Sequence, residues 1–425
     1  MKLLKGAWVY RAGGFEKADV LIEGARFSRI GTDLSIPQGA ETIDLRGYCL
    51  IPGFADVHVH FREPGFFYKE TIASGSRAAA RGGYTCVCTM PNLNPAPDSL
   101  ANLQPQLNAI QLRARVHVIP YGTMTRNQMG KGECADYREL MPYVAGFSDD
   151  GRGVQEEETM RRCMLKIAEV NGIAAAHCEV NGLLGGGYIH DGDYARANGH
   201  PGIPSASEYQ MVERDLRLAK ETGCRYHVCH VSCKESVAMI RRAKDQGVDV
   251  TCETAPHYLA LNDWDISDDG RFKMNPPIRS MDDQQALLDG IRDGTIDMIA
   301  TDHAPHTLAE KSKGLKGSLM GVVGLETAFP VLYTKLVKTG IIPMEKLMDL
   351  MIDAPRRRFP LPGGSIEAGA AADFAVLDTQ TEYTIDPSDF ATQGRSTPFE
   401  GWKVSGRTVM TVIGGETVYQ QKEEK

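Results

Sequence analysis

The middle of the chain repeats one unit: a short apolar run that ends on a polar residue, followed by a stretch of helical period. The runs are CLIPGFADVHVH, GYTCVCTMPN, ARVHVIPYGT, VAGFSDDG, GIAAAHCE, RYHVCHVS, VDVTCETAPH and DMIATDHAPH. Between most of them lie helical patterns such as GVQEEETMRRCMLKIAEVNG and SASEYQMVERDLRLAKETG. Short apolar runs of this kind suit parallel strands buried on both faces. Regular strand–helix alternation feeds a parallel sheet, and eight units predict a closed (β/α)8 barrel of the TIM type. An open doubly wound sheet is the alternative, but no glycine-rich dinucleotide fingerprint follows the first run.

The two ends of the chain have a different texture. WVYRAG, ADVLIEG, FSRIGTD and ETIDLRGYCLIPG near the start, and ADFAVLDT, EYTID and RTVMTVIGGETVYQ near the end, read as short strands joined by glycine-containing turns. The expected organisation is a small β-sandwich domain built from residues 1–52 and 365–425, with the barrel, residues 53–364, inserted between its halves.

Composition narrows the function classes. A hydrophobic content of 42% with 24% charged residues is ordinary for a soluble globular protein. A net charge of −8, with no basic stripe, argues against nucleic acid as the main partner. No run approaches the length of a membrane span, and the start moves straight into strand-like alternation rather than a signal peptide. The ten scattered cysteines therefore read as reduced thiols in a cytoplasmic protein, with Cys86 and Cys88 as small apolar side chains on one strand.

A barrel places its chemistry at the C-terminal ends of its strands. His58 and His60, Asn92, Asp150, His177, His230, His257 and Asp302 all fall there. Residues i and i+2 of a strand share a face, so His58 and His60 can approach one ion together. His177 and His230 each follow an apolar run, where an imidazole is unfavourable unless hydrogen-bonded or ligated. With Asp302 they make a nitrogen and oxygen donor set that suits Zn²⁺, with Mn²⁺, Fe²⁺ or Co²⁺ as alternatives. Asp149 or Asp150 of FSDDG is available to bridge a second ion, while the other caps the turn at Gly151.

The stretches DVHVHFREPG, GGYTCVCTMPN, FSDDG, AAAHCE, YHVCHVS, CETAPHYL, NPPIR, ATDHAPH and GLETAFP resemble the amidohydrolase superfamily, and within it the bacterial type I dihydroorotases. The resemblance spans nearly the whole barrel. It implies that His58, His60 and Asp302 hold a more buried metal, that His177 and His230 hold a second, and that Asp150 bridges them. Zn²⁺, one or two per chain, is the implied cofactor. Dihydropyrimidinases and allantoinases carry a carboxylated lysine at the bridging position, and no lysine lies near residue 150. His60, Arg62, Asn92, Asn275, His306 and the Met320-Gly321 backbone match the family's substrate contacts. The resemblance also suggests a homodimer and a possible association with aspartate transcarbamoylase.

The implied reaction is the reversible hydrolysis of L-dihydroorotate to N-carbamoyl-L-aspartate in de novo pyrimidine synthesis. Two cations lower the pKa of a bridging water to make the nucleophile, and Asp302 is the general base. Arg62 suits a bidentate clamp on the substrate carboxylate. Taken singly, Arg62 could pair with Glu63 or Glu70 at the surface, Asn92 could form an Asx turn, and Asn275 and His306 could merely end loops. His303 and His257 read as supports around the metals, and His117, His190, His200 and His227 as structural. The polar segment 307–318, TLAEKSKGLKGS, is either an exposed loop or a lid over substrate. Two other functions compete with this one: a different cyclic amidohydrolase acting on hydantoins, dihydropyrimidines or allantoin, and a catalytically silent scaffold. The filled ligand positions count against the scaffold.

Overall fold

A computed structural model describes residues 1–422. Its strands, in chain order, are β1 (Lys2–Arg11), β2 (Gly14–Glu23), β3 (Arg26–Gly31), β4 (Glu41–Asp44), β5 (Cys49–Ile51), β6 (Phe54–Val59), β7 (Tyr84–Thr89), β8 (His117–Pro120), β9 (Ile173–Ala176), β10 (Ile189–His190), β11 (Gly202–Ile203), β12 (Arg225–Val228), β13 (Val250–Thr254), β14 (Met298–Ile299), β15 (Phe374–Thr384), β16 (Lys403–Ile413) and β17 (Glu416–Gln420).

Both ends of the chain enter one eight-stranded sheet, in the order β17-β16-β15-β5-β1-β2-β3 with β4 against β1. The two ends meet where β5 pairs antiparallel with β15, Leu50 opposite Val376. Leu4, Val9, Val20, Phe27, Leu50 and Phe374 form a core of their own beneath this sheet.

The middle of the chain is mixed α/β, and its strand pairing runs in a circuit. β6, β7 and β8 pair in parallel. Gly122 and Ala174 both bridge in parallel to Phe147. β9, β12, β13 and β14 follow, again parallel. His303 then bridges back to Val59, and the His60 amide donates to the His303 carbonyl at 2.8 Å. The fourth apolar run, VAGFSDDG, is thus reduced from a strand to two bridges at Phe147. Gly146 shows why the backbone is crowded there: a Cβ on it would meet the Ile173 carbonyl oxygen at 2.8 Å. Val57, Cys88, Tyr121, Ala145, Ala175 and Met298, one from each of six members of the circuit, cluster together, as layered filling of a closed parallel sheet requires.

Helices pack outside. In the helix Glu157–Glu169 the buried residues Met160, Cys163, Met164 and Ile167 recur at helical spacing, one apolar stripe against the strands. The helix Ile72–Gly82 opens with a capping box at Thr71, worth about 1 kcal/mol, and buries Ala78, Ala79 and Ala80. The terminal sheet is fastened to this body by His117, whose Nε2 lies 2.8 Å from Asp373. Among the described residues no helix is long and apolar enough to cross a membrane.

Candidate metal centre and substrate cavity

His58 is the last residue but one of strand β6, and His60 follows the strand; both are buried. Their rings lie 5.4 Å apart and both Nε2 atoms face Asp302 Oδ1, at 3.5 Å from His58 and 3.1 Å from His60. The i, i+2 spacing therefore delivers both imidazoles to one point. Asp150 meets the same point, with Oδ1 3.5 Å from His58 Nε2 and 3.5 Å from His230 Nε2. Two triads result, His58–His60–Asp302 and His58–Asp150–His230, each with ligand atoms within 4.8 Å of one another. His177 falls outside both triads. Its Nδ1 lies 2.9 Å from His230 Nε2 and 3.7 Å from Asp150 Oδ1, while its Nε2 faces Glu179 at 3.5 Å.

The centre contains polar atoms that protein groups leave unsatisfied. His58 Nε2, His60 Nδ1, Asp150 Oδ1 and His177 Nε2 are buried with no hydrogen-bond partner. Buried polar atoms are normally paired, and a cluster of exceptions calls for an explanation. The electrostatics give one. Burial favours neutral forms, yet the Asp150 carboxylate lifts His58 well above its ordinary pKa. Burial likewise opposes charge on Asp150, and His58 nevertheless holds that carboxyl well below the usual range. Two enclosed carboxylates facing imidazoles require positive charge at their centre, and the donor set fits a divalent transition metal. Cys229 lies beside His58 and Glu253, but burial pushes its thiol up to about 12, so it offers no thiolate.

The backbone is strained at the same place. Arg62, His230 and Asp302 have φ of +54°, +37° and +47°, a region L residues rarely adopt and one that clusters at functional sites.

A layer of supports surrounds the centre. Glu253 accepts from His58 Nδ1 at 2.7 Å and from His227 Nε2 at 2.8 Å, which leaves His58 Nε2 turned inward. His227 is thus structural in a specific sense: it anchors the residue that orients His58. Asp56 accepts from the amides of His58 and Thr301, at 2.9 and 3.0 Å, tying the first and last strands of the circuit together. Asp149 is the turn member of its pair, accepting from the amides of Met124 at 2.8 Å and Thr125 at 3.1 Å. His303 Nδ1 accepts from the Gly324 amide at 3.2 Å, so this ring faces away from the cluster. His257 is buried with Nε2 unpartnered, and burial pulls it down to about 4.

A cavity of about 610 Å³ opens beside the centre, bounded by Gly151, next to Asp150, and by Arg62, just beyond His60. Arg62, Lys69 and Arg152 line it with Asn92, Gln128 and Gln155, and among the described residues no carboxylate does. Arg62 pairs with neither of its sequence neighbours. Glu63 is held by Arg113 at 2.6 Å, and Glu70 is engaged by Ser74 and Thr392. Arg62 Nε is buried without a partner.

Asn92 forms no Asx turn; its Nδ2 donates to the Asp150 carbonyl at 2.7 Å, and its Oδ1 is unpartnered. Asn275 Nδ2 donates to Glu179 at 2.9 Å, again with Oδ1 unpartnered. His306 donates from Nε2 to the Met320 carbonyl at 2.8 Å and accepts from Lys69 at 3.1 Å. Burial and the charge of Arg62 push His306 down to about 3, so it is neutral. Gly321 has φ +132°, and a Cβ there would lie 2.7 Å from the Ala304 carbonyl, so Met320 and its carbonyl are held by a turn only glycine fits.

Residues 307–318 alternate between exposed positions, Leu308, Ala309, Ser312, Lys313, Lys316 and Gly317, and three buried ones, Lys311, Leu315 and Ser318. They form the short helices Leu308–Lys311 and Gly314–Gly317. The Lys311 ammonium donates to the carbonyls of Lys273 and Leu319, at 2.9 and 2.8 Å, and Leu315 is fully enclosed.

Comparison with known proteins fits this geometry. A family model described as dihydro-orotase-like matches residues 47–236. A dihydroorotase of Fusobacterium nucleatum is 46% identical over 423 residues, covering 99% of both chains. The chain belongs to the dihydroorotase family. A second family member, from Bacillus cytotoxicus, is 45% identical over 98% of this chain and 97% of its own. Among solved structures, an L-hydantoinase (dihydropyrimidinase) from Arthrobacter aurescens superposes with a TM-score of 0.89 at 26% identity, covering 99% of this chain and 96% of that one. This chain and that neighbour thus share an α/β architecture, while its sequence sides with the dihydroorotases.

The sequence had not singled out Glu253, Glu179, Lys69, Gln128 or Arg152. Glu253 was the most accessible of them: it sits in the apolar strand β13, where a carboxylate needs a partner.

Proposed function

We propose that this protein is a metal-dependent dihydroorotase, interconverting L-dihydroorotate and N-carbamoyl-L-aspartate in de novo pyrimidine synthesis. The observation that carries this reading is the cavity beside the His/Asp centre, lined by three cations and no carboxylate among the described residues. Dihydroorotate bears a carboxylate and carbamoyl aspartate bears two. Hydantoin, dihydrouracil and allantoin bear none, which disfavours the sister amidohydrolases as the chain's role.

His58, His60 and Asp302 would hold one ion, His177 and His230 would serve a second, and Asp150 would be shared by the two; Zn²⁺ is the metal proposed. Bound there, zinc supplies Lewis acidity and lowers the pKa of water toward neutrality. Asp302 takes the proton of the attacking water and returns it to the departing ring nitrogen. Arg62 holds the substrate carboxylate, and Asn92 and Asn275 offer their unpartnered carbonyl oxygens to ring N–H groups. His306, held neutral, fixes the Met320-Gly321 backbone against the ring. The circuit of parallel strands is read as a (β/α)8 barrel, residues 53–364, and the terminal sheet as a composite sandwich domain, residues 1–52 and 365–425. The scattered free cysteines support a cytoplasmic location, and the family resemblance adds a homodimer and a possible association with aspartate transcarbamoylase.

Metal removal tests the reading. Dialysis against a strong chelator is expected to abolish dihydroorotate hydrolysis, and one to two equivalents of Zn²⁺ to restore it. Full turnover by protein shown by elemental analysis to be metal-free would refute it.

A further inference from the structure

Away from the proposed active site, Cys134 and Cys163 face each other with their sulfurs 3.5 Å apart. Cys134 pairs with Thr125 in an isolated bridge, and Cys163 lies on the buried stripe of the helix Glu157–Glu169. Both segments are fixed by packing: the Ala135 amide donates to the Met124 carbonyl at 3.0 Å, and the Tyr137 hydroxyl donates to the same carbonyl. A disulfide bond is about 2.05 Å long, so bond formation asks for an approach of roughly 1.5 Å.

The two thiols are not equivalent. Cys163 is fully enclosed, whereas Cys134 is 8% exposed and lines an open cavity of about 740 Å³ whose charged lining is mixed: Arg126, Arg138, Arg162 and Lys166 with Glu133, Asp136 and Glu169. The hydrogen bond from Cys163, supported by Tyr137, Arg162 and Lys166, holds the Cys134 thiol well below its ordinary pKa. The same contact and burial raise Cys163. The accessible sulfur is thus the one whose thiolate Arg162 and Lys166 favour, and the enclosed sulfur the one burial keeps protonated, an asymmetry that suits a nucleophile and a resolving thiol. Every other cysteine with a resolved shift is pushed the opposite way; Cys49, the least buried, rises to about 11.

We propose that Cys134 and Cys163 are a thiol–disulfide exchange site, with Cys134 as nucleophile and Cys163 as resolving thiol, whose co-reactant is a small-molecule disulfide admitted by the open cavity at Cys134. The Cys134 thiolate attacks one sulfur of the reagent, forming a mixed disulfide and expelling the first thiolate. Cys163 then loses its proton to that leaving thiolate, and its sulfur attacks Cys134, expelling the second thiolate. Two electrons pass from the protein dithiol to the reagent, and the protein gains one internal disulfide.

The test uses the full-length, metal-loaded protein under native conditions, with glutathione disulfide as the probe. The expected result is loss of two titratable thiols, a Cys134–Cys163 link in the peptide map, and reversal by dithiothreitol. In Cys163→Ser the expected product is a stable glutathione adduct on Cys134, and in Cys134→Ser neither adduct nor link at this site. The proposal is overturned if the native protein reacts first at Cys49, or if the Cys134–Cys163 link appears only after unfolding. The wild-type map decides even if a variant fails to fold.

Discussion

Asp302→Ala is expected to lower kcat for dihydroorotate by about 10³-fold or more while leaving the circular dichroism spectrum unchanged. A positioned general base contributes about 10²–10⁴-fold, and Asp302 has the position for that role. It is buried, its Oδ1 lies 3.1 Å from His60 Nε2, and its backbone is held at φ +47°. His58 and His60 remain to bind metal with Asp150 and His230, so metal content is expected to fall by less than one ion per chain. Kinetics and elemental analysis on the same sample separate the two effects. A variant that keeps a tenth of wild-type turnover would remove Asp302 from the role of base.

Arg62→Met is expected to lower kcat/KM for dihydroorotate by about 10²-fold or more. A hydrogen bond to a charged group is worth about 1.5–3 kcal/mol. Two in a bidentate fork make about 3 kcal/mol a lower bound, and about 1.4 kcal/mol corresponds to each factor of ten. The guanidinium is suited to this duty: among the described residues its Nε is buried without an acceptor. Burial lowers its pKa, and the charges of Asp302 and Asp150 of the centre, then Glu310 and Glu70, oppose that effect. An uncharged ring such as dihydrouracil should be hydrolysed as slowly by the variant as by the parent. Equal proportional losses for charged and uncharged rings would show that Arg62 supports the fold of the site rather than the carboxylate.

The alternation of apolar runs and helices was enough to place the candidate histidines and Asp302 at or just beyond strand ends, and Asp150 beyond the bridges at Phe147, because strand ends are written locally as a polar residue after an apolar run. His58, His60, Asp150, His230 and Asp302 converge as that pattern demands. What stayed hidden depends on distances between remote segments. Nothing local says that Glu253 turns His58, or that Lys69 reaches His306. The choice between Asp149 and Asp150 is made by the amides of Met124 and Thr125, which occupy the first and leave the second free. The fourth strand was overread because its length looked like the others, whereas the approach of Gly146 to Ile173 limits it to bridges. Segment 307–318 read as an exposed loop or a lid; Lys313 and Lys316 are exposed, yet Lys311 is buried against backbone carbonyls and drawn by burial to about 7. Polarity in sequence does not reveal a partner that arrives from elsewhere in the fold.

The most direct test of the central claim is turnover of L-dihydroorotate beside dihydrouracil, hydantoin and allantoin, with metal content measured on the same preparation. The account predicts selective hydrolysis of dihydroorotate by protein carrying one to two zinc ions per chain. Preference for an uncharged ring would contradict it, because the cationic cavity and Arg62 would then have no substrate group to hold.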